Sequence, residues 1–214
     1  MNWKWEIIKR TRKVSRLYKD RKDRKQLKNK KVTIFSSNCI GGIIYHNLGL
    51  QFQSPTINLW ISPDDYIEML KEPKKYFRSG IMKEGKSEGF PVGIINGRKI
   101  YGVHYSNFDQ LKNKWDRRCQ RINWNNICVF MIERDGCTYK NISDFDQLKY
   151  SRKVIFTQKK YKGIESDFVL PGTIDDINNN VSDLCGFPNK FSGIRDIDKF
   201  DYVSFINGEG RRLS

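Results

Sequence analysis

The chain has 214 residues, 38% of them hydrophobic and 13% aromatic, which is enough apolar material for a packed core and too much for a disordered polymer. Its formal charge is +16, but residues 1–31 hold 14 Lys or Arg against Glu6, Asp20 and Asp23, a surplus of +11 that leaves +5 for the rest. Five cysteines without a CxxC pair, two histidines and no long apolar run argue against a disulfide framework, a structural zinc site, a secretory leader or a bilayer span, so the expectation is a cytoplasmic protein with reduced thiols.

Residues 1–31 contain neither Pro nor Gly, and on a helical wheel Trp3, Ile7, Val14, Leu17 and Tyr18 fall near one another with Arg10, Lys13, Arg16 and Lys19 around them. A cationic amphipathic helix of this kind suits the anionic inner face of the plasma membrane, each basic residue near the surface contributing roughly 1 kcal/mol. The alternative is a helix whose apolar stripe packs on its own domain. A nucleic-acid tail is disfavoured, because the basic excess largely ends where the folded part begins and no recognisable nucleic-acid module follows.

Residues 32–46, VTIFSSNCIGGIIYH, read as a buried strand, a turn of small residues and a helix. Ser36, Ser37 and Asn38 can cap that helix, while Gly41 and Gly42 allow close backbone approach or positive φ. Amides gathered at the positive end of a helix can hold a phosphate, a carboxylate or an oxyanion, although a plain capped junction has the same sequence. The turn matches neither GxGxxG nor GxxxxGK[ST], which disfavours a dinucleotide site.

Residues 56–61 (TINLWI) read as a second strand, and Ser62-Pro63-Asp64-Asp65 as a helix start with N-cap, Pro and first-turn acids. Residues 91–95 and 99–105 form a hairpin about Asn96-Gly97, with His104 near its end. A helix from Asn107 turns Leu111, Trp115, Cys119 and Ile122 toward the core, followed by a strand over residues 127–132. Beyond these come a helix over 142–150, a strand over 153–157 and a helix over 173–184; residues 200–206 fit either state. The alternation predicts one α/β domain over residues 32–214, a three-layer, mostly parallel Rossmann-like sheet, preceded by the basic amphipathic helix over 1–31.

Ligands of such sheets sit where loops leave the carboxyl ends of the strands, which singles out Ser36 to Gly42, Ser62 to Asp65 and His104 to Asn107. Cys39 beside a helix N-terminus has its thiolate favoured by the dipole, and His46 or His104 can serve as its base; small core cysteines and structural histidines look the same in sequence. Asp64 and Asp65 can hold Mg²⁺ or Mn²⁺ against a nucleotide-sugar diphosphate, or merely start a helix. Lys114, Arg117 and Arg121 lie along one stripe of the helix KNKWDRRCQRI, a phosphate-binding or solvated basic face, and the partly inward Arg118 needs an acidic partner or a ligand.

The blocks N-C-x-G-G, S-P-T-x-N-L, H-Y and W-x-R-R-x-x-R-I-N, here running from Asn38 through Ser54 and His104-Tyr105 to Asn123, resemble a bacterial family called domain of unknown function nineteen-nineteen, over about residues 32–161. Its members are commonly labelled exopolysaccharide or capsule biosynthesis proteins. The resemblance implies an α/β fold and a surface-polysaccharide setting, and brings no catalytic mechanism with it. With the basic helix it leads to a membrane-peripheral transferase acting on a saccharide or lipid-linked oligosaccharide. Glycosyl transfer from a nucleotide sugar is the first form, with Asp64 or Asp65 as metal or donor contact. Acyl transfer from acyl-CoA to a sugar hydroxyl is the second, with His104 or His46 as base and Gly41-Gly42 as oxyanion site. A non-catalytic adaptor for polysaccharide assembly enzymes is the third.

Overall fold

In the computed structural model, which describes residues 3–78, 80, 82–86, 89–175 and 180–214, the chain begins with α1 (Trp3–Gln26), β1 (Thr33–Ser36), α2 (Ile40–Leu48), α3 (Pro63–Lys71) and α4 (Pro73–Phe77). It continues through β2 (Lys83–Glu84), β3 (Val92–Ile95), β4 (Arg98–Tyr101), α5 (Phe108–Cys119), β5 (Ile127–Ile132), α6 (Tyr139–Asp146) and β6 (Lys153–Thr157). The last part holds β7 (Asp167–Val169), β8 (Ile174–Asp175), β9 (Asn180–Val181), a 3-10 turn over Asp196–Lys199 and α7 (Tyr202–Asn207).

The four central strands pair in parallel in the order β1-β5-β6-β7, with Ser36 opposite Phe130 and Phe130 opposite Val154. Their side chains alternate between two cores, as a sheet covered on both faces requires. Phe35, Val129, Met131 and Ile155 pack with α3, α5 and α6, whereas Ile34, Phe130, Ile132 and Phe156 pack with α2 and α7. The fold is α/β in three layers, with a small antiparallel sheet β2-β3-β4 beside it. In the second core, Phe200 meets Phe130, Phe156 and Phe205 edge to face, with Phe156 and Phe200 centroids 5.2 Å apart.

Three sequence expectations change. Residues 56–61 form a turn and a single bridge from Trp60 to Tyr101 instead of a strand, because Asn58 takes φ 60 and breaks the extended run. Ile57 and Leu59 still point into opposite cores, which explains the strand-like pattern. The helix over 173–184 is absent among its described residues: β8 and β9 pair there as antiparallel strands, and residues 176–179 lie outside the described ones. The helix α6 starts earlier than predicted because Thr138 and Asn141 cap it reciprocally.

The hairpin forms as expected, with β3 and β4 joined by Asn96 and Gly97 at φ 48 and 80. Gly97→Ala is expected to lower stability by about 1 kcal/mol, a fall in Tm of roughly 2–4 °C in a melt followed by circular dichroism.

The helix α1 docks on α2 and the C-terminal segment through a polar face. Asp20 and Asp23 are buried, Arg16 pairs with Asp20 at 2.7 Å and Asp198 at 2.5 Å, and the Tyr202 hydroxyl donates to Asp23 at 2.9 Å. Arg24 Nε donates to the Asn47 carbonyl at 2.8 Å. The apolar stripe lies on the outer face of the helix. Trp3, Ile7, Val14, Leu17 and Tyr18 face outward, Tyr18 being 75% exposed. No helix of the described residues is long and apolar enough to cross a membrane.

Candidate functional site

The strand β1 ends at Ser36, whose amide donates to Thr56 Oγ1 at 3.1 Å and whose hydroxyl donates to the Asn38 carbonyl at 3.0 Å. Asn38 then caps α2 from the side: its Oδ1 accepts from the Ile40 amide at 3.1 Å, and its Nδ2 donates to the Asp183 carbonyl at 3.1 Å. With the capping done by Asn38, the Cys39 side chain at the N-cap position makes no capping bond and turns to His104, where Sγ and Nε2 are 3.1 Å apart.

The two glycines serve close packing. A Cβ on Gly41 would stand 2.9 Å from Ser36 Cβ, and one on Gly42 would stand 2.8 Å from Asn58 Oδ1. The expected anion nest is narrower than the sequence suggests, since Ser36 Oγ, Asn38 Oδ1 and the Cys39 carbonyl already occupy the amides of Asn38, Ile40 and Ile43. Among the described residues none accepts from the amides of Gly41 or Gly42, which remain as donors at the start of α2.

His104 sits on the turn after β4, held from the next residue. The Tyr105 hydroxyl donates to the Ile57 carbonyl at 2.8 Å and accepts from Arg118 Nη1 at 2.6 Å. Arg118, 6% exposed, also reaches the Ile57 carbonyl at 3.2 Å and lies over the Phe52 ring at 5.1 Å. The acidic partner expected for it is absent: among the described residues Arg118 has no ion pair, and a carbonyl, a phenol and a ring face take that place. Arg118 thus positions the His104 turn without touching the thiol. Arg118→Met is expected to loosen the His104 turn, seen as about 10-fold faster amide hydrogen exchange over residues 103–105, and Arg118→Lys to restore part of the protection.

The remaining sequence candidates lie elsewhere or are engaged. His46 is exposed in the last turn of α2, six residues beyond Ile40 and so about 9 Å along the axis. Ser37 and Ser54 are buried in the frame, the Ser37 carbonyl accepting from the Ile61 amide at 3.0 Å and the Ser54 hydroxyl lying 3.0 Å from Thr56 Oγ1. Asp64 accepts from Asn141 Nδ2 at 2.6 Å; Asp65 accepts from the Lys99 amide at 3.1 Å and pairs with Arg98 at 3.4 Å. Among the described residues no group of three or more His, Cys, Asp or Glu could hold a metal. Arg117 is exposed beside Gln110 and Lys114, and Arg121 reaches the Phe52 carbonyl at 3.4 Å.

A match to the family described as Domain of unknown function (DUF1919) covers residues 10–207. The chain belongs to this family. The DUF1919 match extends past the blocks over residues 32–161 to take in most of α1 and the C-terminal segment on which α1 docks. A protein of Haemophilus influenzae, described as an uncharacterized protein, is 33% identical over 207 residues, 97% of this chain and 99% of that one.

The candidate site also contains residues that the sequence left unmarked. Asp183, on the loop after β9, has its carbonyl shared by Asn38 Nδ2 and by Cys185 Sγ at 3.3 Å, which brings this loop to the mouth of Cys39. Reading 173–184 as a helix hid it; the Asx turn in which Asp183 Oδ1 accepts from the Cys185 amide at 2.8 Å was the available signal. Burial and the nearby Asp183 carboxylate push the Cys39 thiol up, against the expectation that the α2 dipole favours its thiolate. Burial and Asp183 likewise push Cys185 up to about 12. Cys39 Sγ thus faces His104 Nε2 from surroundings that disfavour its thiolate.

Proposed function

We propose that this DUF1919 protein transfers an acyl group through Cys39. The observation that carries the reading is the 3.1 Å contact between Cys39 Sγ and His104 Nε2 at the start of α2. As the sulfur attacks the carbonyl carbon of an acyl-CoA thioester, its proton passes to His104 Nε2 and the carbonyl oxygen becomes an oxyanion facing the Gly41 and Gly42 amides. Collapse expels the CoA thiolate, which takes the proton from His104 and leaves an acyl thioester on Cys39. An acceptor hydroxyl then attacks, gives its proton to His104, and the acyl ester leaves as the sulfur recovers that proton.

The acceptor is a hydroxyl of a saccharide or lipid-linked oligosaccharide in surface-polysaccharide assembly, as the family resemblance implies, and the protein works from the inner face of the plasma membrane through α1. Glycosyl transfer is the weaker reading, because the carboxylates of Asp64 and Asp65 that would hold a metal or donor are already bonded to Asn141, Arg98 and the Lys99 amide. The test is release of free coenzyme A from acyl-CoA, measured with and without a bacterial oligosaccharide. Acceptor-stimulated release is expected. Absence of release with any acyl-CoA, or turnover of a nucleotide sugar in its place, would refute the reading; pull-down of assembly enzymes without donor turnover would favour an adaptor.

A further inference from the structure

A groove of about 840 Å³ runs between α1 and α7, sharing no lining residue with the Cys39 and His104 pair; Val14, Tyr18, Lys22, Lys25, Ile194 and Val203 stand on its walls. Three side-chain carboxylates also face it, and each is matched within the protein: Asp23 by Lys19 at 2.9 Å, Glu209 by Lys28 at 2.9 Å and Asp201 by Arg212 at 2.8 Å. Lys22 and Lys25 are exposed, and among the described residues neither is in an ion pair, so the groove is left with uncompensated positive charge. Val14 and Tyr18 belong at once to this groove and to the outward stripe of α1, where they are 68% and 75% exposed. The stripe is also fixed outward, because Arg16 and Asp23 tie the opposite face of α1 to Asp198 and Tyr202. A soluble surface has no use for a rigidly presented row of Trp, Ile, Val, Leu and Tyr side chains edged by lysines, whereas an anionic interface matches both its apolar and its charged parts.

We propose that the groove between α1 and α7 takes the phosphate-bearing headgroup of an anionic bilayer lipid while the outward stripe of α1 enters the interface beside it. This rests on the membrane-peripheral reading above and adds the chemistry and the place of contact.

The test is flotation of the full chain with vesicles of phosphatidylcholine alone and of phosphatidylcholine with phosphatidylglycerol. The wild type is expected to float with the anionic vesicles, and Lys22→Gln/Lys25→Gln to partition about 30-fold less, two lysines at roughly 1 kcal/mol each. The control Lys74→Gln/Lys149→Gln removes equal charge from exposed lysines of the layer that holds α4 and α6, across the sheet from α1, and is expected to float like the wild type. Equal losses in both variants would reduce the effect to net charge and overturn the groove. An undiminished Lys22→Gln/Lys25→Gln variant would overturn the groove while the peripheral location stands. No flotation of the wild type with either vesicle would overturn both, as would lysine-dependent binding of duplex DNA in its place.

Discussion

Cys39→Ala is expected to abolish acyl transfer, with a fall in kcat of at least about 10³-fold, while Tm moves by no more than a few degrees. The asymmetry follows from what the thiol does in the resting protein. It makes no capping bond, so α2 keeps its start through Asn38, and its removal takes from the fold only a half-buried sulfur. His104→Ala is expected to lower kcat by about 10²- to 10⁴-fold, the usual share of a positioned general base. Cys185→Ala, which removes the neighbouring thiol, is expected to leave turnover within a few-fold, since Cys185 Sγ points to the Asp183 carbonyl and not to His104. Because burial and Asp183 hold the Cys39 thiol up, iodoacetamide should label Cys39 faster as pH rises past the ordinary thiol range. A thiolate already formed at neutral pH would instead give a flat profile there.

Gly193→Ala should be the most damaging single-methyl change in the chain, lowering stability by about 3 kcal/mol or releasing α1 from the domain. Gly193 lies under the helix: a Cβ there would meet the Arg12 carbonyl and stand 2.8 Å from Arg16 Cβ, and the backbone carbonyl has no rotamer with which to move away. The same glycine gives its amide to Ser15 Oγ at 2.7 Å. If α1 lifts, Asp198 loses its ion pair with Arg16 and Asp23 loses the hydrogen bond from the Tyr202 hydroxyl. Limited proteolysis separates the two outcomes, since cleavage within α1 that precedes any loss of the core signal marks release. A Tm within about 2 °C of the wild type and a protected α1 would show that the contact is not the one described.

The central strands β1, β5 and β6 were legible because each is an apolar run short enough to be a buried strand, and the helices α3 and α5 because Ser62 and Asn107 announce their starts. The segment 56–61 was misread since its alternation is real, Ile57 and Leu59 entering opposite cores, but its backbone turns at Asn58 and leaves the strand pairing to Trp60 alone. The strand β7 escaped because three residues with one partner strand leave no periodicity. The pairing of Cys39 with His104 was proposed from the two strand ends, and the fold joins them; the competing His46 shares a helix with Cys39, so helical rise alone removes it from the thiol. Asp64 and Asp65 look like ligands in sequence and act as struts to Asn141, Arg98 and Lys99, a distinction that depends on tertiary neighbours no local pattern encodes. The outward stripe of α1 agrees with its amphipathic pattern, but the polar docking of its other face was invisible in sequence, because the inward partners Asp198 and Tyr202 lie at the other end of the chain.

Intact-mass analysis of the protein after brief incubation with acyl-CoA tests the covalent step without knowledge of the acceptor. The account predicts a gain of one acyl group, mapped to Cys39, removed by hydroxylamine, and lost in Cys39→Ala. An unmodified protein that nevertheless releases coenzyme A, or an acyl group carried by another cysteine, would contradict it.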